Sequence, residues 1–221
     1  MSMLYPQVLM DFINKNKSFI NTTHQTFLSS RSDPQCAYYK IQFDFNSDLL
    51  LNECKKLDSL FIDHRKEKEK SGYGNYGWQS LTLHGIDVHK SKHYVHYGFK
   101  SFEEAGYHWT DVCDKVPNLS SFLQSLPFTK FHRVRILRLA SGGYIMPHTD
   151  GVSRSFGPLN IAINNPEGCQ FIFEEKGIVP FEPGVGMVLD VARKHAVINQ
   201  SSETRYHVIV HGEYSVGIVY L

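Results

Sequence analysis

From Phe131 to His211 the chain is a succession of short apolar runs separated by turn residues. RVRILRLA (133–140) alternates basic and apolar positions, the period of a strand with one dry and one polar face. SGG (141–143) supplies a turn, and YIMPHTDG (144–151) reads as a second, short strand ending at Gly151. PLNIAIN (158–164), CQFIFEE (169–175), GMVLDV (186–191), HAVIN (195–199) and RYHVIVHG (205–212) complete the set. Strands this short, with no long helix between them, predict a mainly β fold, an antiparallel sandwich or jelly roll with added helices.

The preceding part mixes signals. CAYYKIQFDF (36–45) carries aromatics at alternate positions and predicts a strand. Ser47 to Lys70 predicts a helix capped by Ser47, with Leu50, Leu57, Leu60 and Phe61 at helical spacing and the charge run HRKEKEK as a solvated end. SGYGNYGWQS (71–80) is too rich in glycine for regular helix; it is either a connecting loop or one that offers aromatic contacts at a pocket mouth. Gln79–Ile86 predicts a strand, and 101–126 a helical stretch broken at Pro117, with a second short helix over Asn118–Leu126. The expectation is one structural domain: residues 1–130 as a helical and β lead-in, 131–221 as the β core.

Composition narrows the class. Of 221 residues 42% are hydrophobic, enough for a substantial core, and a formal net charge of +1 gives no general drive toward nucleic acid or anionic membrane. No apolar run approaches the ~20 residues of a membrane span, and the N-terminal stretch lacks the pattern of a secretory signal. Cys36, Cys54, Cys113 and Cys169 form no CxxC pair, which argues against a zinc–thiolate site or a dense disulfide framework. A reducing cytoplasm is the expected location.

The chemistry centres on His148-Thr149-Asp150. On a strand, residues two apart point to one face, so an imidazole and a carboxylate converge on one metal ion. His195, opening a later strand, is the best third ligand; two histidines and one carboxylate leave open positions, as in non-haem Fe(II) oxygenases. In a chain with 12 histidines one HxD is near chance, and His211-Gly212-Glu213 is a comparable HxE with no later histidine to complete it. The order basic strand, turn, HxD, strand, Pro-Gly turn, distal His and basic strand raises the first match above the second. Arg205 shares a strand face with His207, Ile209 and His211; it suits a bidentate salt bridge to a dicarboxylic cosubstrate, or a surface ion pair. Asn160 reads as a contact to cosubstrate or substrate, or as a strand-end amide. His207 reads as a carboxylate-orienting group or a core histidine. Trp78 is a candidate substrate contact or core residue. Arg135 and Arg138 lie on opposite strand faces, so at most one points inward, and Arg138 is a candidate substrate contact. HKSKHYVHYGFK, with His89, His93 and His96, and His108 beyond it, predicts an exposed basic-aromatic loop, with a second metal site as the alternative.

Together RVRILRLASGGYIMPHTDG, PLNIAINNPEGCQFIF, PFEPGVGMVLDVARKHAVIN and SSETRYHVIVHG resemble the aspartyl/asparaginyl β-hydroxylase family and the related bacterial proline cis-hydroxylases. The resemblance covers 131–212 well and extends weakly upstream through GWQSLTLHG and WTD…VPNLSSFLQSLPF. It implies a double-stranded β-helix, a cupin-like jelly roll, with Fe(II) on His148, Asp150 and His195 and the distal carboxylate of 2-oxoglutarate on Arg205. It also implies O2 as oxidant, succinate and CO2 as coproducts, and hydroxylation of an amino acid, free or as a residue such as Asp, Asn or Pro in a peptide. Some mammalian members replace the acidic ligand with glycine, whereas this chain keeps Asp150. The β-hydroxylases carry basic residues on the strand after HxD, where this chain has Gly157, Pro158, Leu159 and Asn160. Two alternatives stand beside this one: an AlkB-like nucleic-acid dealkylase, against which the near-neutral charge argues, and a non-catalytic cupin-like binding protein. The sequence leaves the oligomeric state open.

Overall fold

The computed structural model describes residues 5–18, 36–64, 74–150 and 158–214. Eleven strands are present among them: β1 (Tyr38–Gln42), β2 (Ile62–Asp63), β3 (Asn75–Gly85), β4 (His108–Trp109), β5 (Phe128–His148), β6 (Leu159–Ala162), β7 (Cys169–Phe173), β8 (Gly177–Ile178), β9 (Val185–Leu189), β10 (His195–Asn199) and β11 (Arg205–Tyr214). They pair antiparallel in the order β1-β9-β6-β11-β5-β10-β7-β8, with β3 on the other flank of β5 and β2 and β4 on β3. The sheet curls on itself as a jelly roll, the double-stranded β-helix expected from the sequence. β1 and β3 are hydrogen-bonded members of this sheet, and residue 130 lies inside β5.

One strand makes the curl. The sequence predicts two strands parted by a turn at SGG; instead β5 runs unbroken from Phe128 to His148. Its first half pairs with β11 from Phe128 to Leu139, and its second half pairs with β10 from Tyr144 to His148. On the β3 side, Trp78 faces Leu139 but Tyr76 faces Tyr144, so residues 140–143 bulge out of the ladder and turn the strand from one layer to the other. Gly142 (φ 71°) and Gly77 (φ 66°) adopt the left-handed conformation at this corner, and a Cβ on Gly143 would lie 2.8 Å from the Ala140 carbonyl oxygen.

Alternation along these strands sorts side chains into two cores. Val134 and Ile136 of β5 and Tyr206, Val208 and Val210 of β11 face outward, under helices α2 (Ser47–Lys56) and α4 (Pro117–Gln124), against Leu50, Cys54, Leu119 and Leu123. Leu137 and Leu139 face inward with Trp78, Phe171, Phe173, Met187 and Val197. A third cluster joins Leu9, Phe12 and Ile13 of α1 (Gln7–Asn16) to Ile172, Ala196 and Ile198 on the back of the second layer. Each such buried aliphatic contributes about 1.5–3 kcal/mol relative to exposure. Helical cover explains one departure from the sequence reading: RVRILRLA has no solvated polar face, because its odd positions line an internal cavity, and Arg135 is buried.

Other boundaries also shift. The helix from Ser47 stops at Lys56, followed by a 3₁₀ turn (Asp58–Leu60) and β2; its cap is Asn46, whose side chain accepts the Leu49 N–H at 3.0 Å. The rest of the charge run (65–70) and Ser71, Gly72 and Tyr73 lie outside the described residues, as does Gly151. From Asn75 onward the Gly/Tyr stretch is strand rather than loop. The expected helical region 101–126 resolves into α3 (Phe102–Ala105), β4, a 3₁₀ turn and α4. No helix among the described residues is long and apolar enough to cross a membrane.

Two buried polar groups fix the frame. Val116 precedes α4 and offers no capping side chain, so Glu53 of α2 supplies the acceptor from across the interface. Its carboxylate takes the N–H groups of Asn118 (3.1 Å) and Leu119 (2.9 Å) and the Asn118 amide (2.7 Å). Replacing Glu53 with alanine orphans these donors at a positive helix end, and we expect a loss of about 2–4 kcal/mol in a urea unfolding curve, with Glu53→Gln losing less. Asn199, fully buried, donates its amide to the carbonyls of Leu139, Ala140 and Glu203 at 2.7–3.0 Å, and its oxygen accepts from the Ser201 N–H. It thereby ties the end of β10 to the β5 corner and to the turn that leads into β11. Asn199→Asp turns a carboxylate toward three carbonyl oxygens; the expected cost is about 3–5 kcal/mol, seen as a lowered Tm that recovers on acidification.

Candidate active site

The inner faces enclose a cavity of about 850 Å³. At one side β5 ends and β10 begins: His148 and His195 are paired across the ladder, and the Asp150 N–H donates to the Val191 carbonyl at 2.8 Å, holding the chain just past the strand end. The Nε2 atoms of His148 and His195 lie 3.7 and 4.0 Å from Oδ2 of Asp150. Each Nδ1 sits beside a backbone carbonyl, Met146 O at 2.7 Å for His148 and Arg193 O at 2.8 Å for His195. A carbonyl only accepts, so in both rings Nδ1 carries the proton and Nε2 presents its lone pair toward the carboxylate. Burial, and next the neighbouring His148, push the His195 pKa down to about 4, keeping that ring neutral. Phe171 stacks on it at 5.0 Å, nearly parallel. Two lone pairs and a carboxylate oxygen, all within 4.8 Å of one another, form a site for a cation, and the N,N,O donor set is that of a non-haem ferrous centre.

A second polar cluster lines the same cavity. Arg205, at the start of β11, is buried, and desolvation lowers its pKa to about 10, still well above neutrality. Its neighbours are neutral. Nε donates to Asn165 Oδ1 at 3.2 Å, Nη2 approaches His207 Nδ1 at 3.0 Å, and the guanidinium lies 5.4 Å from the Phe181 ring centroid. Among the described residues no carboxylate is in ion-pair range of Arg205. A buried cation without an internal anion suits an incoming carboxylate, the fit required of a 2-oxoacid cosubstrate. Asn160 and His207 join this cluster, with Asn160 Oδ1 2.8 Å from His207 Nδ1. Both line the cavity, as does Trp78.

Arg138 also borders the cavity, held there in an ion pair. It is on the opposite strand face from Arg135, pairs with Asp58 at 2.8 Å, donates to Gln79 Oε1 at 2.6 Å and lies over Phe61. Tyr206 donates to the same Asp58 at 2.6 Å. Arg135, on the other face of the strand, lines the cavity as well; its Nη1 donates to the Ser91 carbonyl at 3.0 Å. That carbonyl belongs to the expected His-rich loop, which therefore packs against the far end of the cavity. His93 in this loop packs on Tyr94 and Phe102, and His108 lies 2.9 Å from the Gly106 carbonyl. Among the described residues His148, Asp150 and His195 form the single metal-capable cluster, and the His211/Glu213 pair does not build another. Sequence reasoning missed His64, hidden in the charge run, which is buried with its ring centroid 4.0 Å from that of Trp78 on the cavity wall. It also missed Asn165 and Phe181, whose loop positions carry no periodic signal.

The profile of the aspartyl/asparaginyl β-hydroxylase family matches residues 45–213, most of the chain. A search of curated proteins found no match. Among solved structures the chain is similar to a prolyl hydroxylase from Trichoplax adhaerens in complex with a hypoxia inducible factor oxygen degradation domain peptide fragment (12% identity, 80% of this chain and 84% of that one, TM-score 0.50). It is also similar to the viral collagen prolyl hydroxylase of Paramecium Bursaria Chlorella virus-1 (18% identity, 79% and 94%, TM-score 0.42). A third is a prolyl-4-hydroxylase from Pseudomonas putida (13% identity, 81% and 94%, TM-score 0.44). At 12% identity the likeness to the Trichoplax adhaerens enzyme is one of fold alone. The family profile, with the donor set in the cavity, settles the class: the chain belongs to the aspartyl/asparaginyl β-hydroxylase family and is a dioxygenase whose cofactors are Fe(II), 2-oxoglutarate and O2.

Proposed function

We propose that the protein hydroxylates an amino acid, free or within a peptide, with His148, Asp150 and His195 holding Fe(II) and Arg205 holding the distal carboxylate of 2-oxoglutarate. The observation that carries this is the joint presence, in one cavity, of a three-donor cation site and a buried guanidinium with neutral partners. When bound, the ferrous ion supplies O2-dependent oxidation coupled to decarboxylation of 2-oxoglutarate to succinate and CO2.

The chain's own residues do the positioning. His148, Asp150 and His195 would hold the ion through three donor atoms, which would leave coordination positions for small ligands. Arg205 fixes the cosubstrate by a charge-assisted contact. Phe171, Val197, Leu139 and Ile145 line the intervening wall with apolar surface, which excludes water. Arg135 places a second buried cation toward the far end of the cavity, suited to a carboxylate of the amino acid being oxidised, and the rings of Trp78 and His64, tilted 41° to one another, border the space for its body.

Succinate release tests the proposal. With Fe(II), 2-oxoglutarate and O2, panels of amino acids, acidic and prolyl peptides, and methylated oligonucleotides are compared. Amino acids or peptides are expected to stimulate succinate formation several-fold above the uncoupled background. Stimulation by oligonucleotides alone would replace the assignment with a dealkylase. No Fe(II)-dependent visible band with 2-oxoglutarate under anaerobic conditions, together with no succinate, would leave a binding protein.

A further inference from the structure

We propose that His207 is a positioning residue for Arg205, held by its neighbours as the neutral tautomer with the proton on Nε2, and that Asn160 helps set that tautomer. This rests on the assignment of Arg205 to the cosubstrate carboxylate. A guanidinium has donors and no acceptor, and Arg205 Nη2 lies 3.0 Å from His207 Nδ1. A proton on Nδ1 would face an Arg205 N–H, so Nδ1 is the acceptor. Asn160 touches the same Nδ1 at 2.8 Å. An acceptor nitrogen there requires the amide of Asn160 to present its NH2, and the two amide orientations differ only by a 180° flip. The single Nδ1 lone pair is then shared between the two donors, and the remaining proton sits on Nε2, a buried atom with no hydrogen-bond partner among the described residues and part of a ring that lines the cavity.

The surroundings keep the ring uncharged. His207 is buried, with the Phe181 ring packed edge-on at 4.7 Å, and burial and Arg205 together hold its pKa well below the ordinary value. Phe181 also lies under the Arg205 guanidinium. His207 therefore takes one Nη2 hydrogen, Asn165 takes the Nε hydrogen, and Phe181 fixes the plane. Rotation of the guanidinium is stopped without an anion that would compete with the cosubstrate. In place of a basic residue, β6 presents Asn160, and the imidazole comes from β11, whose His207 lies one strand over, opposite Ala162.

Three variants and one spectrum test the proposal. Equilibrium binding of 2-oxoglutarate to the anaerobic Fe(II) enzyme is measured for Arg205→Met, His207→Leu and His207→Gln, with Tm recorded for each. Expected are loss of binding in Arg205→Met, a roughly ten- to hundredfold weakening in His207→Leu, and substantial recovery in His207→Gln, whose side-chain oxygen can still accept from Nη2. KM for 2-oxoglutarate should rise in His207→Leu while KM for the amino-acid or peptide substrate stays within about twofold. Nitrogen NMR of the wild-type apo-protein should place the proton of His207 on Nε2, a readout independent of turnover and of whether any variant folds. If Arg205→Met loses binding and His207→Leu does not, or if the proton is on Nδ1, the positioning role is overturned and the Arg205 assignment survives. If Arg205→Met binds 2-oxoglutarate normally, that assignment fails first.

Discussion

His195→Ala is expected to abolish stoichiometric iron binding and to lower turnover by far more than the roughly hundredfold typical of losing a ligand's outer partner. His195 is buried and supplies one of the three donor atoms, and the site then keeps one nitrogen and one carboxylate oxygen. The measurement is iron per protein after anaerobic reconstitution, with the anaerobic 2-oxoglutarate band as a second readout. Tm of the apo-proteins runs alongside, because Phe171 and Phe173 pack on the lost ring and its removal leaves a void. Full iron occupancy in the variant would remove His195 from the metal site and with it the geometry on which the assignment rests.

Arg205→Met should split stability from function. A buried guanidinium whose partners are Asn165, His207 and Phe181 is held at a desolvation cost that the protein does not recover by an internal ion pair. A methionine of similar length removes that cost, so the apo variant should unfold at an equal or higher urea midpoint, by about 0–2 kcal/mol. The cosubstrate side moves oppositely. KM for 2-oxoglutarate should rise by about a hundredfold or more, equivalent to about 3 kcal/mol. Wild-type protein at a hundred times Kd of 2-oxoglutarate should gain about 2.7 kcal/mol of stability, and the variant should gain almost none. An Arg205→Met protein that is much less stable without ligand, yet unchanged in its response to 2-oxoglutarate, would make Arg205 a structural residue.

How much of this was legible in the sequence depends on whether the signal was local. Strand alternation and turn residues located β6, β7, β9, β10 and β11 closely, and HxD with a distal histidine named the metal-capable cluster. Those signals are properties of a few neighbouring residues. The corner in β5 reads in the sequence as a turn between two strands, because Ser141-Gly142-Gly143 carries the same letters whether a strand reverses or bulges. The burial of Arg135 was invisible for a related reason. Alternation says that Arg135 and Arg138 face opposite ways, but only the pairing with β3 and β11, and the helices over one face, say which way is in. The same limit applies to Asn165 and Phe181, which reach Arg205 through loops whose course no periodicity records.

The path of β5 also constrains how the protein is made. Every partner of this strand is distant in sequence: β3 upstream, and β10 and β11 near the end of the described chain. Closing such pairings is slow, on the order of milliseconds to seconds for β-rich topologies. During synthesis His148 and Asp150 emerge well before His195, so the three donor atoms of the cluster come together only once β10 has paired with β5.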